Sequence, residues 1–78
     1  MTDTELRRLK EACVSVRWQA FQSGPEMLER ADVLLGVAFR HLERIHSGVL
    51  ELSPAVQREI EDSIARAREA IGVGGFDA

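Results

Sequence analysis

The side chains in this 78-residue chain that are able to do chemistry are two histidines, one cysteine, a few serines and the carboxylates. Glu43 and His46 have the Glu-x-x-His spacing with which helical bundles hold di-iron centres. Glu43 is expected on the outer side of its helix, and the complementary core glutamates of such centres are missing. His41 and His46 are five residues apart, whereas helical neighbours are three or four apart. We therefore predict no metal site.

The possible nucleophiles lack the partners that would activate them. Cys13 is the only cysteine, and it falls inside an apolar row with no histidine or basic cluster to lower its pKa, so we expect a buried, inert thiol. The serines have no His/Asp arrangement, and no glycine-rich loop follows a strand to hold a phosphate. These observations predict a protein that is not an enzyme and uses no cofactor.

The longest apolar element that positions these residues is a predicted helix over residues 25–47. Its main row steps by four and three, as in the seam of a helical bundle, and consists of Met27, Ala31, Leu34, Ala38, His41 and Ile45. A second row widens the face with Leu28, Leu35, Leu42 and Val49. Val33, Val37 and Phe39 fall outside this face, where a solvated helix would carry charge. We expect a third helix of the chain or a second copy to cover them.

Two further helices are predicted, with the same spacing and with good start and stop signals. The first seam consists of Leu6, Leu9, Cys13, Val16 and Ala20, and the last of Val56, Ile60, Ser63, Ala67 and Ala70. Capping-box spacings start helices at Thr2 and at Ser23, Ser53 precedes Pro54, and Gly48 is a natural helix terminator. The expected fold is all-α: an antiparallel hairpin of helices 4–22 and 25–47, with a third amphipathic helix over 54–71. Residues 1–71 form one domain, and residues 72–78 form a flexible glycine-rich tail.

A self-association surface is predicted on the central helix, through Val33, Val37, Phe39 and His41. A single core of this size is often only marginally stable, which favours a homodimer. His41 lies in the predicted seam, where a polar residue is able to set the register of an oligomer and to make its interface sensitive to pH. The alternative is an ordinary buried histidine that bonds to a carbonyl or carboxylate.

A protein-interaction surface is predicted on the first helix, through Val14, Arg17, Trp18 and Phe21. Val14, Trp18 and Phe21 form a row that is rotated by more than a quarter turn from the seam, with Arg17 between the two. This row either packs on the third helix or forms a contact patch, because Trp and Arg are enriched among the residues that dominate interface energies.

The composition narrows the environment and the partners. The net charge is −3, with acidic and basic residues interspersed, which argues against general nucleic-acid binding and against anionic membrane surfaces. There is no run of about 18 apolar residues, and the acidic, polar N-terminus is unlike a secretory signal, so we expect a cytoplasmic location. Nine arginines against one lysine, with abundant Ala and Val, suggest a GC-rich bacterial or phage genome.

These features predict a small interaction module that binds another protein as an adaptor, inhibitor or regulator of a larger bacterial or phage-related complex. The alternative is a nucleic-acid-binding regulator of the helix-turn-helix type, since such modules are also built from three short helices. The third helix mixes acids with its arginines, and the most basic element is the first helix, through Arg7, Arg8, Lys10 and Arg17. We therefore expect a protein partner rather than nucleic acid.

Overall fold

The chain forms a bundle of three α-helices in a computed structural model that describes residues 3–72. Helix α1 spans Asp3–Ser23, α2 spans Pro25–His46 and α3 spans Pro54–Ala70. These bounds confirm the predicted helices to within one residue at each end. The expectations for Met1, Thr2 and residues 73–78, which are all of the predicted tail except Gly72, lie outside the described residues.

A single residue, Gly24, separates α1 from α2. Its φ of 121° lies in a region that only glycine adopts readily, so the chain reverses there and the two helices become antiparallel neighbours. The prediction that Ser23 caps α2 is wrong, because Ser23 is the last residue of α1 and its hydroxyl donates to the carbonyl of Gln19 at 3.0 Å. Gly24 itself is the N-cap, and Pro25 follows it in the first turn, where a missing N–H does no harm.

The signals between α2 and α3 act as predicted. Gly48 has a φ of 83°, its N–H bonds to the carbonyl of Ile45, and the N–H of Val49 bonds to Arg44, which is the Schellman pattern of a helix end. Ser53 then caps α3, and its hydroxyl accepts from the N–H of Val56 at 3.2 Å. Such a cap contributes about 1 kcal/mol to stability.

The core lies where the three helices meet. Its buried apolar residues are Leu9, Cys13, Val16, Ala20, Ala31, Leu35, Ala38, Leu42, Ile60, Ile64 and Ala67. The rows predicted for α1 and α3 are confirmed. In α2 the centre of the face is rotated from the main row toward the second one, because Leu35 and Leu42 are buried while Leu34 and His41 are only partly covered. The second row wrongly includes Val49, because this residue lies beyond the end of α2 and is exposed.

Helix α3 packs along one side of the α1–α2 hairpin. Ser63 is buried, and its hydroxyl donates to the carbonyl of Leu34 at 2.5 Å. His41 bonds to Glu59 on the same side of α2, about two helical turns further along. Since residue numbers rise on α3 as they fall on α2, these two helices are antiparallel. The opposite side of the hairpin has no cover from the described residues of α3.

The buried thiol of Cys13 should make the stability of the folded chain depend on pH in the alkaline range. Burial raises the pKa of Cys13 from 9.0 to about 11. The folded state therefore holds the thiol proton more tightly than the unfolded state, and this contribution to stability is complete below pH 9 and is lost as the pH rises through 11. We expect the wild-type free energy of unfolding to fall between these pH values more steeply than that of Cys13→Ala. Urea unfolding at each pH measures both slopes, and parallel slopes would contradict the prediction.

Candidate protein-interaction site

The open side of the hairpin is a groove between α1 and α2, and the four residues of the predicted interaction patch line it. Val14, Arg17, Trp18 and Phe21 come from α1, and Phe39 comes from α2. Val14, Trp18 and Phe21 are 56–60% exposed, although all three are large and apolar. The interpretation that this row packs on the third helix is therefore wrong. We call this side of the hairpin the open face.

Two stripes of residues, one from each helix, form the open face. The α1 stripe is Lys10, Val14, Arg17 and Phe21, and the α2 stripe is Asp32, Gly36, Phe39 and Glu43. Each stripe steps by four, three and four residues, so its members follow one side of a helix. Trp18 lies beside the α1 stripe. The charged members are all basic on α1 and all acidic on α2.

An ion pair joins the two stripes near the end of the hairpin that carries Gly24. Arg17 Nε donates to Asp32 Oδ1 at 2.7 Å, and Arg17 Nη2 donates to Asp32 Oδ2 at 3.3 Å. The hydrogen bonds and the charge of Asp32 raise the pKa of Arg17. Both side chains are about half exposed, so the pair contributes little to stability. Its effect is to hold the guanidinium of Arg17 against Asp32.

The other end of the groove contains Lys10, Glu43 and His46, with Val14, Phe39 and Leu42 between them. Glu43 and His46 are both exposed. Within residues 3–72, no three His, Cys, Asp or Glu side chains come together as a possible metal site. A basic residue of α1 thus faces an acidic residue of α2 at each end of the groove, and the middle is apolar.

The aromatic side chains form the most prominent part of the open face. The rings of Trp18 and Phe21 stack with their centroids 5.5 Å apart and an angle of 22° between their planes. Stacking holds both rings in place before any partner arrives, so less side-chain entropy remains to be lost on binding. The prediction that Phe39 lies outside the apolar face of α2 is wrong in part, because Phe39 is partly buried and packs against the core from within this groove.

Gly36 lies in the middle of the α2 stripe, one turn after Asp32 and one turn before Phe39. A Cβ atom placed on Gly36 would meet no atom of the described chain within 4 Å. Nothing in the fold therefore needs a glycine here, although a glycine in the middle of a helix costs about 1 kcal/mol relative to alanine. The backbone of α2 is open to a close approach from outside at this point.

The four residues predicted for self-association do not lie together. Val33 and Val37 are on the outer side of α2, 74% and 46% exposed, while Phe39 lies in the groove. His41 lies on the α3 side, where its Nε2 is 2.7 Å from Glu59 Oε1. The partner of His41 Nε2 is thus within the chain, while its buried Nδ1 has no hydrogen-bond partner among the described residues. Sequence reasoning missed Gly36 and the Arg17–Asp32 pair as parts of the open face, although the four-three spacing of the α2 stripe was available to show it.

Two of the four basic residues of α1 are paired with acids: Arg8 with Glu5 at 2.8 Å and Arg17 with Asp32 at 2.7 Å. Lys10 shares its end of the groove with Glu43. None of the three helices is both long enough and apolar enough to cross a membrane. No protein-family model, curated protein or solved structure matches this chain.

Proposed function

We propose that this protein is a non-enzymatic interaction module that binds another protein chain through the open face. The observation that supports this most strongly is the exposure of Trp18, Phe21 and Val14 side by side in one groove. Burying a large apolar side chain contributes about 1.5–3 kcal/mol. Burial of these three exposed side chains by a partner would therefore stabilise a complex substantially. Exposed apolar patches with a polar rim are typical of protein-binding surfaces.

The charges around the open face favour a protein over nucleic acid as the partner. The groove carries Asp32 and Glu43 as well as Lys10 and Arg17, and its arginine is already paired. A phosphate backbone needs unpaired basic groups, and acids beside them repel it. A role as an adaptor or inhibitor in the cytoplasm of a bacterium, or on behalf of a phage, is part of this proposal.

Replacing Trp18 with alanine tests the proposal. Because the side chain is 56% exposed and outside the core, we expect Trp18→Ala to keep its helicity and to change the free energy of unfolding by less than about 1 kcal/mol. Capture of partner proteins by the immobilised chain should fall at least about tenfold, the loss expected when a central interface tryptophan is removed. Circular dichroism and quantitative capture from extracts of the source cells give the two readings.

The matched control for this experiment is Val33→Ala, which shortens an exposed apolar side chain on the outer side of α2. Capture should survive it. Equal losses for both variants, or an unchanged yield with Trp18→Ala, would argue against binding through the open face. A parallel loss of helicity in Trp18→Ala would show that the ring supports the fold instead.

A further inference from the structure

We infer that the open face binds a second copy of this chain. The result is a symmetric dimer whose centre is a four-helix bundle, made of α1 and α2 from both chains. This inference rests on the proposed function and names the partner. It starts from a requirement of symmetry: a surface that binds its own copy about a two-fold axis must be complementary to itself. The two stripes of the open face meet that requirement in charge and in shape.

Two orientations of a two-fold axis stack the open face on itself with the helices of the two chains aligned. An axis parallel to the helices places α1 of one chain over α2 of its partner. An axis across the helices, in the plane of the face, places α1 over α1 and α2 over α2. The charges of the stripes distinguish the two arrangements, because the α1 stripe carries only basic charges and the α2 stripe only acidic ones.

The axis parallel to the helices brings opposite charges together. Residues stay at the same level along the bundle, so Lys10 of one chain lies over Glu43 of the other, and Arg17 lies over Asp32. The axis across the helices would instead stack Lys10 on Arg17 and Asp32 on Glu43, and juxtaposed like charges at an interface are strongly unfavourable. Charge complementarity therefore selects the parallel axis. Each of the four central helices is then antiparallel to both of its neighbours, as in an up-and-down four-helix bundle.

The shapes of the two stripes agree with the same arrangement. The α1 stripe is bulky, with Val14 and Phe21 and with Trp18 beside it, whereas the α2 stripe is notched at Gly36. Arg17 bonds to Asp32 and Val14 shares a groove with Phe39, so Gly36 lies at a level between Arg17 and Val14. The bulky side of one chain thus meets the notch of the other. This contact gives a reason for a glycine that the fold of one chain leaves unexplained.

Gly36→Leu should weaken the dimer without weakening the fold of the single chain. A leucine fits the open space above α2 and is a better helix former than glycine, so the monomer should become more stable. The same side chain fills the notch, and the dissociation constant of the dimer should rise roughly tenfold or more. The control is Ala65→Leu, which adds a comparable side chain on the exposed side of α3. Sedimentation equilibrium over a micromolar to millimolar range measures the association.

Charge reversal tests the direction of the axis. Lys10→Glu and Glu43→Lys should each weaken the dimer, and the double variant should restore it, because the opposite charges then face each other again. With the axis across the helices, Lys10→Glu would place an acid against Arg17 and would strengthen association. Arg58→Glu makes the same change in net charge on the exposed side of α3 and controls for nonspecific repulsion.

The expected result is a wild-type mass that rises with concentration toward twice 8.7 kDa, with Gly36→Leu and Lys10→Glu shifted toward monomer and both controls unshifted. A wild-type chain that stays monomeric up to millimolar concentration would overturn the inference. So would a dimer that Gly36→Leu leaves intact and Val37→Asp breaks, since that dimer would use the outer side of α2. Neither result would refute the proposed function, which is tested by the loss of partner capture in Trp18→Ala.

Discussion

Leu35→Ala should remove about 2–5 kcal/mol from the free energy of unfolding, because Leu35 is fully buried at the centre of the core. The loss has two sources: the transfer energy of the deleted carbons and the cavity that the three helices leave when they cannot collapse. Domains of this size have total stabilities on the order of 5–10 kcal/mol. A single truncation in α2 thus removes a large share of the stability of the whole bundle.

Urea unfolding followed by circular dichroism measures this loss. With a slope of about 1 kcal/mol per molar urea, the midpoint should fall by about 2 M or more. The matched control is Val33→Ala, since Val33 is 74% exposed and its replacement should stay within about 0.5 kcal/mol of the wild type. If Leu35→Ala were as mild as its control, Leu35 would not be the centre of the core.

Ala38→Leu is expected to destabilise the fold for the opposite reason. Ala38 is fully buried, and small residues at this level let α2 approach its neighbours closely. Three additional carbons must push the helices apart or adopt strained rotamers, and such overpacking costs about 1–3 kcal/mol. Because leucine is nearly as good a helix former as alanine, propensity does not explain a loss of this size.

The control for overpacking is Ala65→Leu, the same chemical change on the exposed side of α3. We expect its free energy of unfolding to stay within about 0.5 kcal/mol of the wild type. The difference between the two variants in thermal and urea unfolding isolates the cost of the crowded site. Equal stabilities would mean that α2 and its neighbours are not in close contact at Ala38.

The helices could be predicted from the sequence because their signals are local. The four-three rows, Ser53 before Pro54 and the glycine at 48 act within a few residues of one another, so no knowledge of the rest of the fold is needed. Ser23 shows the limit of such signals. It has capping-box spacing with Glu26, yet the chain reverses at Gly24, and the serine stays at the end of α1.

The side of the hairpin that α3 occupies could not be predicted. The pattern of α1 shows an apolar row at Trp18, and the pattern of α2 shows two rows at Leu34 and Leu35, but neither helix records which row the third helix covers. That choice depends on how all three helices cross. In the structure α3 covers the side of Leu34 and His41, so the row of Trp18 stays exposed.

The residues of the candidate site could be predicted only where the pattern within one helix shows them. Val14, Arg17, Trp18 and Phe21 were identified because large apolar residues beside an arginine are conspicuous in any helix. Contacts across helices were not visible: the bond of Arg17 to Asp32 spans 15 residues, and that of His41 to Glu59 spans 18. Nothing local to Gly36 shows whether its side of α2 is covered, and the folded chain is needed to show that a Cβ atom there would meet no atom of the described residues within 4 Å.

The fluorescence of Trp18 tests the central claim, that the open face is the surface that becomes covered on binding. The chain has one tryptophan, so its emission reports this face alone. As the concentration of the chain rises, or as a captured partner is added, we predict that the emission maximum moves to shorter wavelength and that quenching by acrylamide falls. Association detected by mass, with emission and quenching unchanged in both titrations, would place the interface elsewhere and contradict the claim.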